Sequence, residues 1–172
     1  SFSSPLPKST LDSITVYYQG APLTTGFGSF RQSTHNDVPI IWTLSEPYGA
    51  RDWWPCKQDL NDKIDSIDVI VTTPEKYRVA SNGILKSEIQ IDTNKIYHWQ
   101  HRYPIPAYLI AIGVTNYVVY SDFVPTVNGD IEILNYVYPE DSLYAAERTP
   151  ATVEIMHLFN LLLLFSIHFF FF

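Results

Sequence analysis

One cysteine stands in the 172 residues, Cys56. Alone it cannot form an internal disulfide or build a zinc–thiolate site, so the redox compartment stays open. Cations are also scarce: 11 Lys and Arg face 18 Asp and Glu, a net charge of −7, and the cations form no stripe. Phosphate backbones are bound by clustered Lys and Arg, so no nucleic-acid partner is expected. Ser1-Phe2-Ser3-Ser4-Pro5 has neither a basic start nor an apolar run and does not read as a signal peptide. The five histidines are His35, His98, His101, His157 and His168, and none belongs to a His-Glu-x-x-His helix. The two-histidine metal face and its general base are therefore lacking. His98 and His101 lie three apart on an expected strand, which points them to opposite faces and keeps them from sharing a metal. No catalytic residue, no metal ligand and no cofactor are expected in this chain.

What is present reads mostly as β. Hydrophobic residues make up 46% and charged ones 17%, enough apolar side chain for a packed core. β-branched and aromatic runs recur between turn residues. Strands are expected at Ile14–Tyr18, Pro39–Leu44, Ser66–Thr73, Tyr77–Ala80, Ile84–Ile91, Lys95–His101, Tyr108–Gly113, Tyr117–Ser121 and Ile131–Tyr138. In the third run Ile67, Val69 and Val71 share one face, while Asp68, Ile70 and Thr72 share the other. Ser81-Asn82-Gly83 and Asn128-Gly129-Asp130 are turn signals, and Asp92-Thr93-Asn94 closes a hairpin.

The texture changes after Pro139. Residues 142–148 favour helix, and Pro150 suits the first position of a longer helix capped by Thr149. Val153, Met156, His157 and Asn160 would line one stripe of it. Leu158 to Phe172 is almost wholly apolar. As a helix it spans about 22 Å, short of the roughly 30 Å hydrocarbon core, and no Lys or Arg flanks it, so no membrane span is expected. It is too uniformly apolar for an ordinary core helix. A changed reading frame near Asn160, or a truncated gene, is the expectation, and such a tail promotes aggregation when exposed.

Residues 43–63 read TLSEPYGARDWWPCKQDLNDK. This resembles the signature of the amino-terminal domain of aminopeptidase N-like zinc metallopeptidases, the group that includes leukotriene hydrolase, and bacterial members most. Thr43, Glu46, Pro47, Ala50, Arg51, Pro55, Cys56 and Lys63 fall in register with that pattern, and Trp54 stands where Phe is common. Tyr18-Gln19-Gly20, the run from Tyr77 to Gly83 and the run from Tyr103 to Tyr117 extend the likeness over about residues 13–160. Leu44, Gln58 and the Leu60-Asn61 pair depart from it; the family commonly has Gln at the first, Asp at the second and Pro near the third.

The resemblance implies a mainly β, saddle-like β-sandwich over residues 1–138, itself incomplete. Residues 139–160 would be the first helix of a thermolysin-like catalytic domain, with an atypical tail at 161–172. It implies a fragment of a zinc-dependent aminopeptidase that removes amino-terminal residues from peptides, with one zinc in the intact parent and none here. The implied partners are the amino terminus of a peptide substrate and the missing catalytic domain. Glu46 matches the residue that helps bind the substrate's α-amine. An ammonium about 4 Å from a carboxylate gains roughly 4 kcal/mol at an effective dielectric near 20, before desolvation. The plainer reading of Glu46 is a strand-end carboxylate paired with Arg51.

Arg51, Asp59 and Lys63 are expected as a charged cluster fixing the loop. Cys56 is expected as a small buried hydrophobe. At least one of Trp53 and Trp54 is expected in the core; in an alternative reading they form the platform of a non-catalytic β-sandwich binding carbohydrate or protein. Exposed sheet edges would favour self-association. Location is left open among bacterial cytoplasm, periplasm and secretion.

Overall fold

A computed structural model of the chain describes residues 11–24, 29–126 and 129–163. In chain order the strands are β1 (Ser29–His35), β2 (Val38–Leu44), β3 (Ile67–Pro74), β4 (Arg78–Ser81), β5 (Ile84–Ile91), β6 (Asn94–His101), β7 (Ile112–Thr115), β8 (Val118–Val124) and β9 (Ile131–Val137). Two helices follow, α1 (Ser142–Ala146) and α2 (Pro150–Leu163). The chain is thus mainly β with a C-terminal helix. All strand pairs are antiparallel, in sheets ordered β1-β2-β7-β4, β3-β6-β5 and β8-β9.

The first two sheets face each other across the core. Val79 and Val114 come from one, Tyr97 and Trp99 from the other, and Ile41, Val69, Val71, Leu85, Leu134 and Tyr136 pack around them. The sheets are also stitched by polar ends of the core aromatics. Trp99 Nε1 donates to the Val79 carbonyl at 3.2 Å and Tyr97 Oη to the Tyr77 carbonyl at 3.1 Å. Both bonds satisfy groups that burial would otherwise strand.

Period-two patterning carries this arrangement. Along β3, Ile67, Val69 and Val71 turn inward and Asp68, Ile70 and Thr72 face solvent, as their alternation implies. Along β6 the buried side chains are Tyr97, Trp99 and His101, so His98 and His101 do face opposite ways. β5 and β6 form the expected hairpin, with Asp92 at φ 52° in its turn. The β5–β6 register shifts between Leu85 and Ser87, leaving Lys86 as an extra residue in the ladder. The Ser81-Asn82-Gly83 turn passes the chain from one sheet to the other. Gly83 sits at φ +86°, and a Cβ there would come within 2.1 Å of the Gln100 carbonyl oxygen. Only glycine fits.

Several elements differ from their sequence-based expectation. Ile14–Tyr18 is not a strand: it pairs with none of the described strands and its side chains are exposed. A strand needs a ladder partner, and propensity alone supplies none. β1, with sequence SFRQSTH, has no β-branched or aromatic run, yet it pairs along its whole length with β2. The two-residue turn Asn36-Asp37, both at positive φ, fixes that hairpin. The run Tyr108–Gly113 is split. Ala107–Leu109 is a 3-10 turn, and the strand begins at Ile112 because Asn82 takes the Ala111 N–H at 2.7 Å. In α2, Met156 is buried, but His157 and Asn160 are exposed. The helix lies on β8, where Tyr120 Oη meets Thr149 Oγ1 at 3.3 Å, so its contact stripe runs through Thr152, Val153 and Met156. Asn128 and residues 164–172 lie outside the described residues. Among the described residues no helix is long and apolar enough to cross a membrane.

A clasp joins the tip of the β1–β2 hairpin to the segment after β9. His35 Nε2 and Asn36 Nδ2 both meet Glu140 Oε1, the latter at 2.6 Å. The His35 ring stacks on Tyr138 with centroids 3.7 Å apart. The Glu140 carboxyl is held below the usual range by its own backbone N–H first and by His35 second.

Candidate functional site

The motif of residues 43–63 begins where β2 ends. Ser45 is buried, and Glu46 follows it on a cis bond to Pro47. A hydrogen-bonded knot then folds the chain back on itself. Gly49 N–H donates to the Ser45 carbonyl at 2.8 Å, Trp53 Nε1 to Ser45 Oγ at 2.9 Å, and Ser45 Oγ to the Ser29 carbonyl at 3.3 Å. Ser29 Oγ donates to Asp52 Oδ2 at 2.8 Å. Ala50 is fully enclosed beneath this knot. At Gly49 a Cβ would stand 2.2 Å from Ser29 Oγ, so the close approach requires glycine.

Glu46 projects from this braced loop into solvent. Among the described residues no side chain ion-pairs or hydrogen-bonds with its carboxylate, so the expected partnership with Arg51 is not formed. What the geometry offers is an uncommitted carboxylate on a rigid base, able to accept from an ammonium.

The rest of the motif is spread out rather than gathered. Arg51 and Lys63 are exposed and take part in no ion pair among the described residues, and Asp59 Oδ1 accepts the Asn61 N–H at 2.9 Å. The expected Arg51–Asp59–Lys63 cluster is therefore not assembled; Lys57 with Asp62 forms the loop's ion pair instead. Exposure in water explains this, since such pairs gain little there. Pro55 is exposed. Cys56 is half-buried, and burial pushes its thiol up, away from the thiolate a nucleophile needs. Gln58, a departure from the motif, ties the loop by donating to the Tyr48 carbonyl at 3.0 Å. Sequence reading missed Ser29, Ser45 and Trp53 as the brace, because serines and a tryptophan carry no spacing signal for a tertiary knot. Trp53 and Trp54 are half-buried with rings tilted by 53° and centroids 6.1 Å apart, so they present no flat platform.

Zinc does not fit these side chains. Among the described residues no three His, Cys, Asp or Glu come together as a metal group. His98 is engaged with Asp68 at 2.6 Å, and His101 is buried on the other face of β6. Asp68 also receives Arg102 at 2.6 Å and Gln100 at 3.2 Å. The His98 bond first, then those of Arg102 and Gln100, hold its carboxyl at about 2. A depressed folded pKa contributes stability that is complete above the ordinary Asp range and is lost as pH falls through about 2. A carboxyl NMR titration should place Asp68 near that value, and the variant H98A should move the midpoint up towards 3.8.

Comparisons with known proteins agree with this architecture. Residues 2–109 match the family model described as the peptidase M1 N-terminal domain. A comparison with curated proteins found no match. Among solved structures, the M1 zinc metallopeptidase from Deinococcus radiodurans aligns with a TM-score of 0.56 at 22% identity, covering 68% of this chain and 27% of that one. A mutant of the D. radiodurans enzyme bound to a Tyr-Ser-Ala substrate aligns at 0.56 and 21%, covering 70% and 30%. A two-domain M1 zinc metallopeptidase mutant bound to L-arginine aligns at 0.57 and 22%, covering 71% and 31%. At such identities the likeness shows the fold, and the chain spans less than a third of those structures. The family match covers well over half of the 172 residues, and with the sandwich and the braced loop on β2 it leads to one assignment: this chain belongs to the peptidase M1 N-terminal domain family.

Proposed function

We propose that this chain is the substrate-terminus-recognition part of a zinc-dependent aminopeptidase, with Glu46 receiving the α-ammonium of a peptide. The observation that carries the reading is the uncommitted Glu46 carboxylate on a loop braced by Ser29, Ser45 and Trp53. The relatives' bound L-arginine and Tyr-Ser-Ala are chemically consistent with it, each offering an α-amine. An ammonium contact of this kind rewards free amino termini and so favours exopeptidase action. The zinc, which polarises the scissile carbonyl and activates water, would be held by a catalytic domain outside these residues. Residues 139–160 are proposed to open that domain. The exposed Ile155, Leu158 and Phe159 of α2 are the apolar surface it would cover.

Magnitude decides what the chain does by itself. Glu46 is exposed, so a charge pair at about 4 Å in water gains only about 1 kcal/mol. The larger gain of about 4 kcal/mol requires a covering domain that lowers the local dielectric. The 172-residue chain should therefore prefer Tyr-Ser-Ala over its N-acetylated form by no more than about fivefold in an NMR titration. That preference should vanish in E46Q, and equal binding of both peptides to the unaltered chain would remove the reading. Chelator-sensitive hydrolysis of aminoacyl anilides by this chain would also overturn it. The alternative of a carbohydrate module is disfavoured by the tilted, braced tryptophans.

A further inference from the structure

We infer that the cavity between the β4–β5 corner and the β8–β9 pair is a binding site for a small aromatic carboxylate. Its volume is about 540 Å³, inside the range of roughly 300–1,000 Å³ for ordinary small-molecule pockets. Arg78 of β4, Leu85 and Glu88 of β5, and Leu134 and Tyr136 of β9 line it, and Tyr117 closes the side where β8 begins. None of these residues belongs to the 43–63 motif, so the site goes beyond the recognition reading.

The irregularity at Lys86 builds the charged floor. A regular strand sends residues three apart to opposite faces. The extra residue between Leu85 and Ser87 reverses that: Leu85, opposite Trp99, and Glu88, opposite Tyr97, share the inward face. Glu88 is thereby brought to two cations. Arg78 Nη1 donates to its Oε1 at 2.7 Å, and Lys95 Nζ meets the same oxygen. Two cations on a single carboxylate leave a positive charge uncompensated, on a chain whose net charge is −7. Arg78 Nη1 also donates to Tyr97 Oη at 3.3 Å, whereas Nη2 and Nε have no partner among the described residues. That free edge is the fork that holds a carboxylate by two parallel bonds.

The walls select the rest of the ligand. Tyr117 and Tyr136 stand edge to face, centroids 5.9 Å apart and planes at 89°. A flat ring packs into such a corner by stacking on one phenol and meeting the edge of the other. Burial raises both hydroxyls, Tyr136 to about 12, so both stay protonated and available to donate. The Tyr136 hydroxyl has no hydrogen-bond partner among the described residues. An aromatic body thus meets Leu85, Leu134 and the phenols, while its carboxylate meets Arg78. A cationic ligand would be repelled by the guanidinium, and a bare phosphate would leave the apolar wall uncovered.

Indoleacetate is the probe, with indoleacetamide as its uncharged match. Titrated into the 172-residue chain, indoleacetate should give saturable NMR amide shifts at Arg78, Leu85, Glu88, Leu134 and Tyr136. Indoleacetamide should bind at least about tenfold more weakly, because it forfeits the charge-assisted pair with Arg78. R78M should erase that advantage and leave the affinity for the amide unchanged. If R78M lowers the thermal transition, V119F decides: the larger side chain fills the cavity from β8, outside the core cluster, and should abolish binding of both compounds. Equal binding of acid and amide overturns the inference. So do displacement by equimolar inorganic phosphate, binding that survives V119F, shifts centred on the Glu46 loop or α2, or no saturation by about 10 mM. E46Q should bind indoleacetate as the unaltered chain does, and V119F should keep the peptide preference at Glu46, so either reading can fail without the other.

Discussion

Replacing Trp99 by alanine should lower the free energy of unfolding by about 3–5 kcal/mol, the range for removing a large buried aromatic. The ring is 4% exposed and lies between Val79 and Val114 of the facing sheet and Tyr136 of β9, whose ring centroid is 6.1 Å away. Its loss opens a cavity in the core cluster to which all three sheets contribute side chains. It also leaves the Val79 carbonyl without its indole donor. W99F separates the two effects. Phenylalanine keeps most of the ring contact and forfeits the hydrogen bond, so it should cost less, on the order of 1–2 kcal/mol. Urea unfolding followed by far-UV circular dichroism measures both. Equal losses in the two variants would show that the hydrogen bond, not the packing, dominates.

Gly83→Ala should cost at least about 3 kcal/mol, a large effect for one methyl group. The backbone there is at φ +86°, where an L side chain is strained. The added carbon would also meet the Gln100 carbonyl oxygen at 2.1 Å and the His101 Cα at 2.9 Å, both backbone atoms that cannot rotate away. The chain must then shift β4 against β6, which disturbs the seam between sheets. Gly129→Ala makes the control: it shares a positive φ of 117° but has no atom within 4 Å of the new carbon. Thermal unfolding should drop much further for the first variant. Similar drops would mean that φ strain, rather than collision, sets the cost.

β3 and β6 alternate between inward and outward side chains, which made them readable, and Gly83 and Asp92 mark the turns at the two ends of β5. β1 escaped because its side chains are polar and its strand character comes from β2. Ile14–Tyr18 misled in the opposite sense, with strong propensity and no described partner. At the candidate site, motif register singled out Glu46, which lies exposed just past the end of β2. The knot beneath it was not legible, because Ser29 meets Ser45 only once the β1–β2 hairpin has formed. The charged cluster failed for an electrostatic reason: nothing in exposed loops holds long side chains together strongly enough to predict the pairs.

The clasp at His35 gives β2 a second office. One end of that strand, at Val38, adjoins the hairpin tip fastened to Tyr138 and Glu140; the other, at Leu44, leads directly into Ser45 and Glu46. Seven residues of extended chain make a strut about 23 Å long. The junction where the β region gives way to helix and the Glu46 carboxylate are thus opposite ends of one stiff member. A push on the helical side is borne at the loop that carries Glu46, because β2 runs unbroken between them.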